Sequence, residues 1–303
     1  MTEAHNNLTD SNASWRALYP FESHFETIGG FKMHYLDEGP KDADRPTILC
    51  SHGNPTWSFI FRDVVKAFCD QYRVIVVDHI GCGLSEKPCK SKYPYGLQRR
   101  GDDLIELIEK LNLNRIALVA HDWGGAVAMN AATRIPERFE RIALMNTAAY
   151  LSNRVPKRIR LCHIPLLGRF LLQGLNVFPR AATKMATAKG LTQPVIDGLL
   201  APYDSWRNRI AVCEFVRDIP MSKSHRSYEA LKGTQERLHV FADKPVALIW
   251  GAKDWCFPPE VFLEEFLKYY PNAYVCKLEQ AGHYLLEDQT DETLQALRHF
   301  LQM

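Results

Sequence analysis

The sequence predicts an α/β fold: a mostly parallel eight-stranded sheet flanked by helices, with an inserted helical cap domain. Short apolar, β-prone runs alternate with helical patterns, the arrangement of a parallel sheet covered on both faces. The run Val74-Ile75-Val76-Val77 shows no polar alternation, as expected of a strand buried on both sides. The alternation then stops after Met145 and resumes only near Val246, and six prolines (Pro156, Pro165, Pro179, Pro194, Pro202, Pro220) punctuate the strand-poor stretch between.

The elements follow in order. Residues 1–18 open on a polar stretch, MTEAHNNLTDSNAS, and read as a disordered tail. His24 to Leu36 reads as a hairpin turning at Gly29-Gly30, an antiparallel start to the sheet. Thr47–Cys50, Val74–Val77, Ile116–Ala120, Ile142–Met145, Val246–Trp250 and Tyr274–Leu278 read as the central strands. Asp102 to Leu111 has the i, i+3, i+4 apolar spacing of a helix, and Ala126 to Ile135 continues a second helix as far as Pro136. The main domain is thus expected at 19–146 and 239–303, with 147–238 inserted as a cap over the carboxyl ends of the strands, where open α/β sheets bind ligands.

Composition excludes several function classes. The 303 residues are 46% hydrophobic and carry a net charge of +2, and no dense Lys/Arg stripe with interleaved aromatics gives reason to expect a nucleic-acid partner. Arg154 to Arg160 (RVPKRIR) reads as a solvated face. The eight cysteines are scattered without a CxxC pair, so neither a zinc site nor a disulfide framework is expected, and small buried thiols in a reducing compartment are. The N-terminus lacks a basic start followed by an apolar stretch, so a cytoplasmic protein is expected. No apolar run reaches the ~18 residues of a membrane span. The nearest, Leu161 to Phe178, is broken by Arg169, Pro165 and two glycines. It reads first as the wall of a pocket, then as a self-association surface, then as a membrane-surface helix.

The chemistry is concentrated in Arg115 to Gly125, RIALVAHDWGG. An apolar strand runs into a turn of small-x-nucleophile-x-small form, with Ala120, His121, Asp122, Trp123 and Gly124 in the five places. Small residues let strand and helix approach closely around a strained central residue. Alone, an Asp before a helix is an ordinary N-cap. A nucleophile in such a turn, however, needs an acid and a histidine later in the chain, in that order. Asp254 follows the strand in IWGAKDWCFPP, and His283 follows another in EQAGHYLLED. A carboxylate nucleophile suits an electrophilic sp³ carbon, which it converts to an alkyl ester; on an ordinary ester it would gain only a reactive anhydride. Upstream, His52-Gly53-Asn54-Pro55 follows a strand where the second oxyanion-hole N–H is expected. The backbone N–H groups of Asn54 and Trp123 should therefore face the developing oxyanion, while the Asn54 amide and the Trp123 indole could converge on a departing anion.

Together HGNPTWSF, AHDWGG, Asp254 and His283 resemble the haloalkane dehalogenases of the α/β-hydrolase superfamily, over the whole main domain and less so in the cap. The resemblance implies the α/β-hydrolase fold, Asp122 as nucleophile, His283 as base and Asn54 with Trp123 as the halide-binding pair. One large subfamily takes its acid just after the strand Ile142–Met145; this chain has Asn146 there, which moves that role to Asp254. The same residues resemble β-lactone decarboxylases of long-chain olefin biosynthesis, for which a strained lactone is the electrophile. The implied partners are a small apolar electrophile and a halide ion, with no metal and no cofactor required. An epoxide hydrolase would need acid tyrosines, for which Tyr150, Tyr203 and Tyr228 are candidates, and a non-catalytic binder would be expected to have a damaged triad. Haloacids fit poorly, because Trp123 stands where an arginine would pair with a substrate carboxylate.

Overall fold

The computed structural model describes residues 13–42, 45–156, 159–160, 162–164 and 167–303. Eight strands form one sheet: β1 (His24–Ile28), β2 (Phe31–Glu38), β3 (Thr47–Ser51), β4 (Arg73–Val77), β5 (Ile116–His121), β6 (Phe139–Met145), β7 (Val246–Gly251) and β8 (Tyr274–Leu278). Their order is β1-β2-β4-β3-β5-β6-β7-β8; β1, β2 and β4 pair antiparallel and the rest parallel. Each central strand is apolar on both faces because both faces are covered. Leu49, Ile75, Leu118, Leu144 and Leu248 belong to one core, and Ile48, Val74, Val76, Val119, Ala143 and Ile249 to the other. The hairpin turns at Gly29-Gly30, as the sequence predicts, both with positive φ.

Helices α1 (Arg62–Phe68), α2 (Leu97–Lys110) and α3 (Trp123–Ala132) link the first strands; α8 (Pro259–Tyr269) and α9 (Thr290–Gln302) close the fold. Between β6 and β7 the described residues hold no strand. They hold a π-helical turn at Phe170–Gly174 and helices α4 (Val177–Met185), α5 (Gln193–Leu200), α6 (Ile210–Arg217) and α7 (Tyr228–Arg237). No helix among the described residues is long and apolar enough to cross a membrane.

Two details depart from the sequence reading. Residues 1–12 of the expected tail lie outside the described residues, but 15–18 are not tail. Arg16–Leu18 form a 3₁₀ turn, and the buried Trp15 and Tyr19 pack on Trp57 with ring centroids 5.7 and 5.1 Å away. Aromatic burial there outweighs the polar composition. Helix α2 starts at Leu97, five residues before the expected Asp102, because its first turn buries Leu97 and Arg100 beneath α6, with the Arg100 guanidinium 3.5 Å from the Phe215 ring centroid.

Candidate active site

Parallel pairing places the loops that follow β3, β5, β6, β7 and β8 at one edge of the sheet. Ser51 lies opposite Ala120, His121 opposite Met145 and Gly251 opposite Leu278, so the residues just after these strand ends converge. Asp122 occupies the turn between β5 and α3 with φ +53° and ψ −132°, a region that side-chain-bearing residues rarely adopt. Gly124 and Gly125, in the first turn of α3, leave no room for a side chain. A Cβ on Gly124 would lie 2.5 Å from the Ser51 carbonyl carbon, and one on Gly125 would lie 2.7 Å from Thr147 Cγ2. The strained turn is held from behind by the Thr147 hydroxyl, which donates to the Asp122 carbonyl.

The three predicted triad residues meet. His283 Nδ1 is 2.9 Å from Asp254 Oδ2, and His283 Nε2 is 3.6 Å from Asp122 Oδ2. Asp254 is fixed in turn, since its Oδ1 accepts the N–H groups of Cys256 (2.7 Å) and Phe257 (3.1 Å). The backbone N–H of Asn54 donates to Asp122 Oδ1 at 2.6 Å and the Trp123 N–H adds to that hold, so both expected oxyanion donors face the carboxylate. Burial pushes the Asp122 carboxyl up from its ordinary range, against the pull of His283 and the two N–H groups. For His283 burial acts downward, but the charges of Asp254 and then Asp122 outweigh it, and the imidazole is raised above its ordinary value.

The cavity above Asp122 has a volume of about 320 Å³ and is walled mainly by apolar side chains, among them Leu172, Phe178, Met185, Val216, Phe257 and Phe262. Asn54 and Trp123 line it beside Asp122. The Asn54 amide spends one hydrogen on the Val212 carbonyl of α6 (3.2 Å), which leaves its second for an anion. The Leu161–Phe178 segment supplies part of the wall through Leu171, Leu172, Val177 and Phe178, whereas Leu161, Pro165 and Leu166 lie outside the described residues. The tyrosines offered for epoxide opening are otherwise engaged. Tyr150 lines the cavity but its hydroxyl donates to the Phe262 carbonyl (2.8 Å), Tyr203 donates to the Thr56 carbonyl (2.9 Å), and Tyr228 is not a lining residue. Among the described residues no group of three or more His, Cys, Asp and Glu side chains could hold a metal ion.

Three positioning residues escaped the sequence reading. Asn146, considered only as the place where an acid is missing, donates to the carbonyls of Gly282 (3.0 Å) and His283 (2.9 Å) and accepts the Gly251 N–H (2.9 Å), joining the ends of β6 and β7 to the histidine loop. His121 donates from Nε2 to the His283 carbonyl (2.9 Å), and burial holds its imidazole neutral. His52 accepts the His79 N–H at Nε2 (3.2 Å), so its Nδ1–H donates to the Gly53 carbonyl (2.7 Å) and orients the loop that carries Asn54. The signal for each was present as a polar residue at a strand end, with no pattern to name its partner.

The family described as the alpha/beta hydrolase fold matches residues 46–290. The chain is 38% identical to a cis-3-alkyl-4-alkyloxetan-2-one decarboxylase of Shewanella oneidensis, over 94% of this chain and 89% of the relative. It is 29% identical to haloalkane dehalogenase 2 of Mycobacterium tuberculosis, over 92% of this chain and 95% of that one. Among solved structures it superposes on the haloalkane dehalogenase DbeA of Bradyrhizobium elkani with a TM-score of 0.82 at 26% identity, covering 93% and 98% of the two chains.

Proposed function

The chain belongs to the α/β-hydrolase superfamily, in the group that holds the haloalkane dehalogenases and the oxetan-2-one decarboxylases, and from that premise we propose a haloalkane-dehalogenase-like hydrolase whose Asp122 is alkylated by its substrate. The observation that carries the reading is the nucleophile itself: a buried carboxylate on a strained turn, facing an apolar cavity, with one oxygen held by the Asn54 N–H and the other 3.6 Å from His283. Residues 147–238 act as the cap in this reading, and the eight free cysteines support a cytoplasmic location.

The free oxygen, Oδ2, attacks the carbon in line; the carbon–halogen bond breaks, and the halide departs toward the Asn54 amide and the Trp123 indole N–H. Alkylation removes the Asp122 charge, one of the two that hold the His283 pKa up. The imidazole is thereby released as a neutral base just when the ester requires one. Water loses its proton to Nε2 and attacks the ester carbonyl carbon, whose oxygen Oδ1 already accepts the Asn54 backbone N–H, with the Trp123 N–H also turned to the carboxyl group. Collapse expels the alcohol and restores Asp122, while Asp254 keeps His283 in the tautomer this step needs.

A second reading is favoured by one observation, the 38% identity to the oxetan-2-one decarboxylase against 29% for the dehalogenase. In that reaction Asp122 opens a β-lactone at its ring carbon and frees a carboxylate. Loss of CO₂ then forms the alkene and expels Asp122, with no water consumed. Incubation with a bromoalkane panel and with a cis-β-lactone, following bromide and alkene separately, decides between them. Bromide release without alkene supports the dehalogenase, and efficient alkene formation with only trace bromide overturns it. Mass spectrometry of a His283→Phe variant given bromoalkane tests the shared premise: the adduct is expected on the peptide containing Asp122, and label elsewhere would remove it.

A further inference from the structure

The apolar segment singled out at Leu161–Phe178 is only partly used by the cavity. Phe170, Leu175 and Val177 are 53%, 52% and 43% exposed, and Trp206 is 46% exposed. These side chains adjoin. A Cβ on Gly174 would lie 3.2 Å from both the Phe170 and the Trp206 rings, so the two aromatics flank that glycine, next to Leu175. Of the ten large hydrophobic residues exposed among the described residues, six (Ile164, Phe170, Leu175, Val177, Trp206, Met221) fall within 147–238. Val177 also lines the cavity, so the surface is continuous with the cavity wall.

Charge is divided along the same boundary. Residues 147–238 carry 15 Lys and Arg against 6 Asp and Glu, a net +9, which leaves −7 on the remainder of the chain. Beside the apolar surface Arg169, Arg180 and Arg207 are exposed, and the Arg169 guanidinium lies 5.8 Å from the Trp206 ring centroid. The neighbouring acid, Asp204, accepts a hydrogen bond from the Asn208 amide at 2.8 Å.

We propose that this surface docks the cap onto an anionic lipid membrane, with Phe170, Leu175 and Trp206 entering the interface and the arginines meeting the headgroups. Exposed aromatic and aliphatic side chains ringed by cations are what an acyl-chain and anionic-headgroup boundary selects. A second copy on the same surface would set two caps of like charge against each other. Docking brings the cavity wall at Val177 to the phase in which long apolar molecules dissolve. This inference rests on the surface alone and stands with either electrophile.

The test is flotation of the full chain with vesicles of phosphatidylcholine alone and of phosphatidylcholine mixed with phosphatidylglycerol. Binding is expected with the mixed vesicles and should weaken as salt rises. Arg169→Glu/Arg207→Glu should lower partitioning by about fivefold or more for each arginine lost. Phe170→Ser/Trp206→Ser should lower it by about tenfold or more. Bromide release from a short water-soluble bromoalkane should be unchanged in both, which also reports that they fold. No preference for anionic vesicles, or binding that both variants retain, overturns the proposal. So does a wild-type dimer that dissociates in Phe170→Ser/Trp206→Ser, which would make the surface a self-association site.

Discussion

Gly53 lies beside the nucleophile and is not among the residues lining the cavity, which makes Gly53→Ala a test of the carboxylate's position. A Cβ at this position would lie 2.5 Å from Asp122 Cγ, with Asp122 Oδ1 nearer still. Ordinary contact between carbons is about 3.5–4.0 Å, so the carboxyl group must retreat by about 1 Å or more. The 2.6 Å hydrogen bond from the Asn54 N–H is then stretched or lost. Removing one oxyanion donor costs about 2.7–4 kcal/mol, or about 10²–10³ in kcat, and a displacement of about 1 Å at the reacting atoms is worth about 10² on its own. Steady-state bromide release with a soluble bromoalkane, beside a thermal unfolding scan, should show that loss in a protein that still unfolds cooperatively. A variant within about threefold of wild type in both kcat and kcat/KM would refute the assigned contact between Gly53 and the nucleophile.

Further outcomes follow from the same geometry. Asp254→Asn keeps an acceptor for the Cys256 and Phe257 N–H groups but offers His283 the wrong partner, so ester hydrolysis should fall by about 10⁴ while alkylation persists. Rapid-quench kinetics should then show a bromide burst of one equivalent per enzyme. The pH dependence has a defined sign: His283 is raised in the free enzyme despite burial, by Asp254 and then Asp122. Hydrolysis of the Asp122 ester should therefore lose rate on acidification only below the pH at which free His283 titrates by NMR, and coincidence of the two would contradict the charge argument. Arg62 and Glu287 form a buried bidentate pair at 2.5 and 2.7 Å. Arg62→Met should cost about 3–5 kcal/mol in denaturant unfolding, and Arg62→Met/Glu287→Leu should recover most of it. Asn146→Ala should orphan the buried Gly251 N–H and lower stability by about 1–3 kcal/mol, with a fall in kcat from the loosened His283 loop.

Five of the six strands read as central were legible because burial on both faces leaves runs too apolar to mistake; Tyr274–Leu278 agrees with β8 at both ends but is an edge strand, with Val275 and Lys277 exposed. Their edges were read short where the outer residues are partly polar, as at Phe139-Glu140-Arg141 before Ile142. The sequence pattern continues the helix after the Asp122 turn to Ile135, but α3 ends at Ala132; Pro136 forces Ile135 to φ −131° and ψ 54°, outside the helical region. Asp122, Asp254 and His283 could be found because a strand end followed by a reactive side chain is a local signal. Asn146 and His121 could not, because each acts through backbone groups of the His283 loop, distant in sequence, and His52 could not, because the His79 N–H that fixes its tautomer comes from another strand end. Arg100 misled the apolar pattern of α2, since its buried guanidinium lies on Phe215, where periodicity expects a hydrocarbon.

The pairing of β6 with β7 has a consequence for how such a protein can vary. The two strands are parallel neighbours, with Met145 opposite Ile249 and Ile142 opposite Val246, so the hundred or so residues between them leave at the carboxyl end of one strand and return at the amino end of the next, a fixed crossover of about 10 Å. Closing such an excursion costs entropy that rises only with the logarithm of its length, about 0.6 kcal/mol for each doubling. Nucleophile, acid and base all lie outside it. Segments of quite different length and composition can therefore be exchanged at this junction, as a tool head is changed on a fixed handle, giving new substrate preference without resetting the reactive groups.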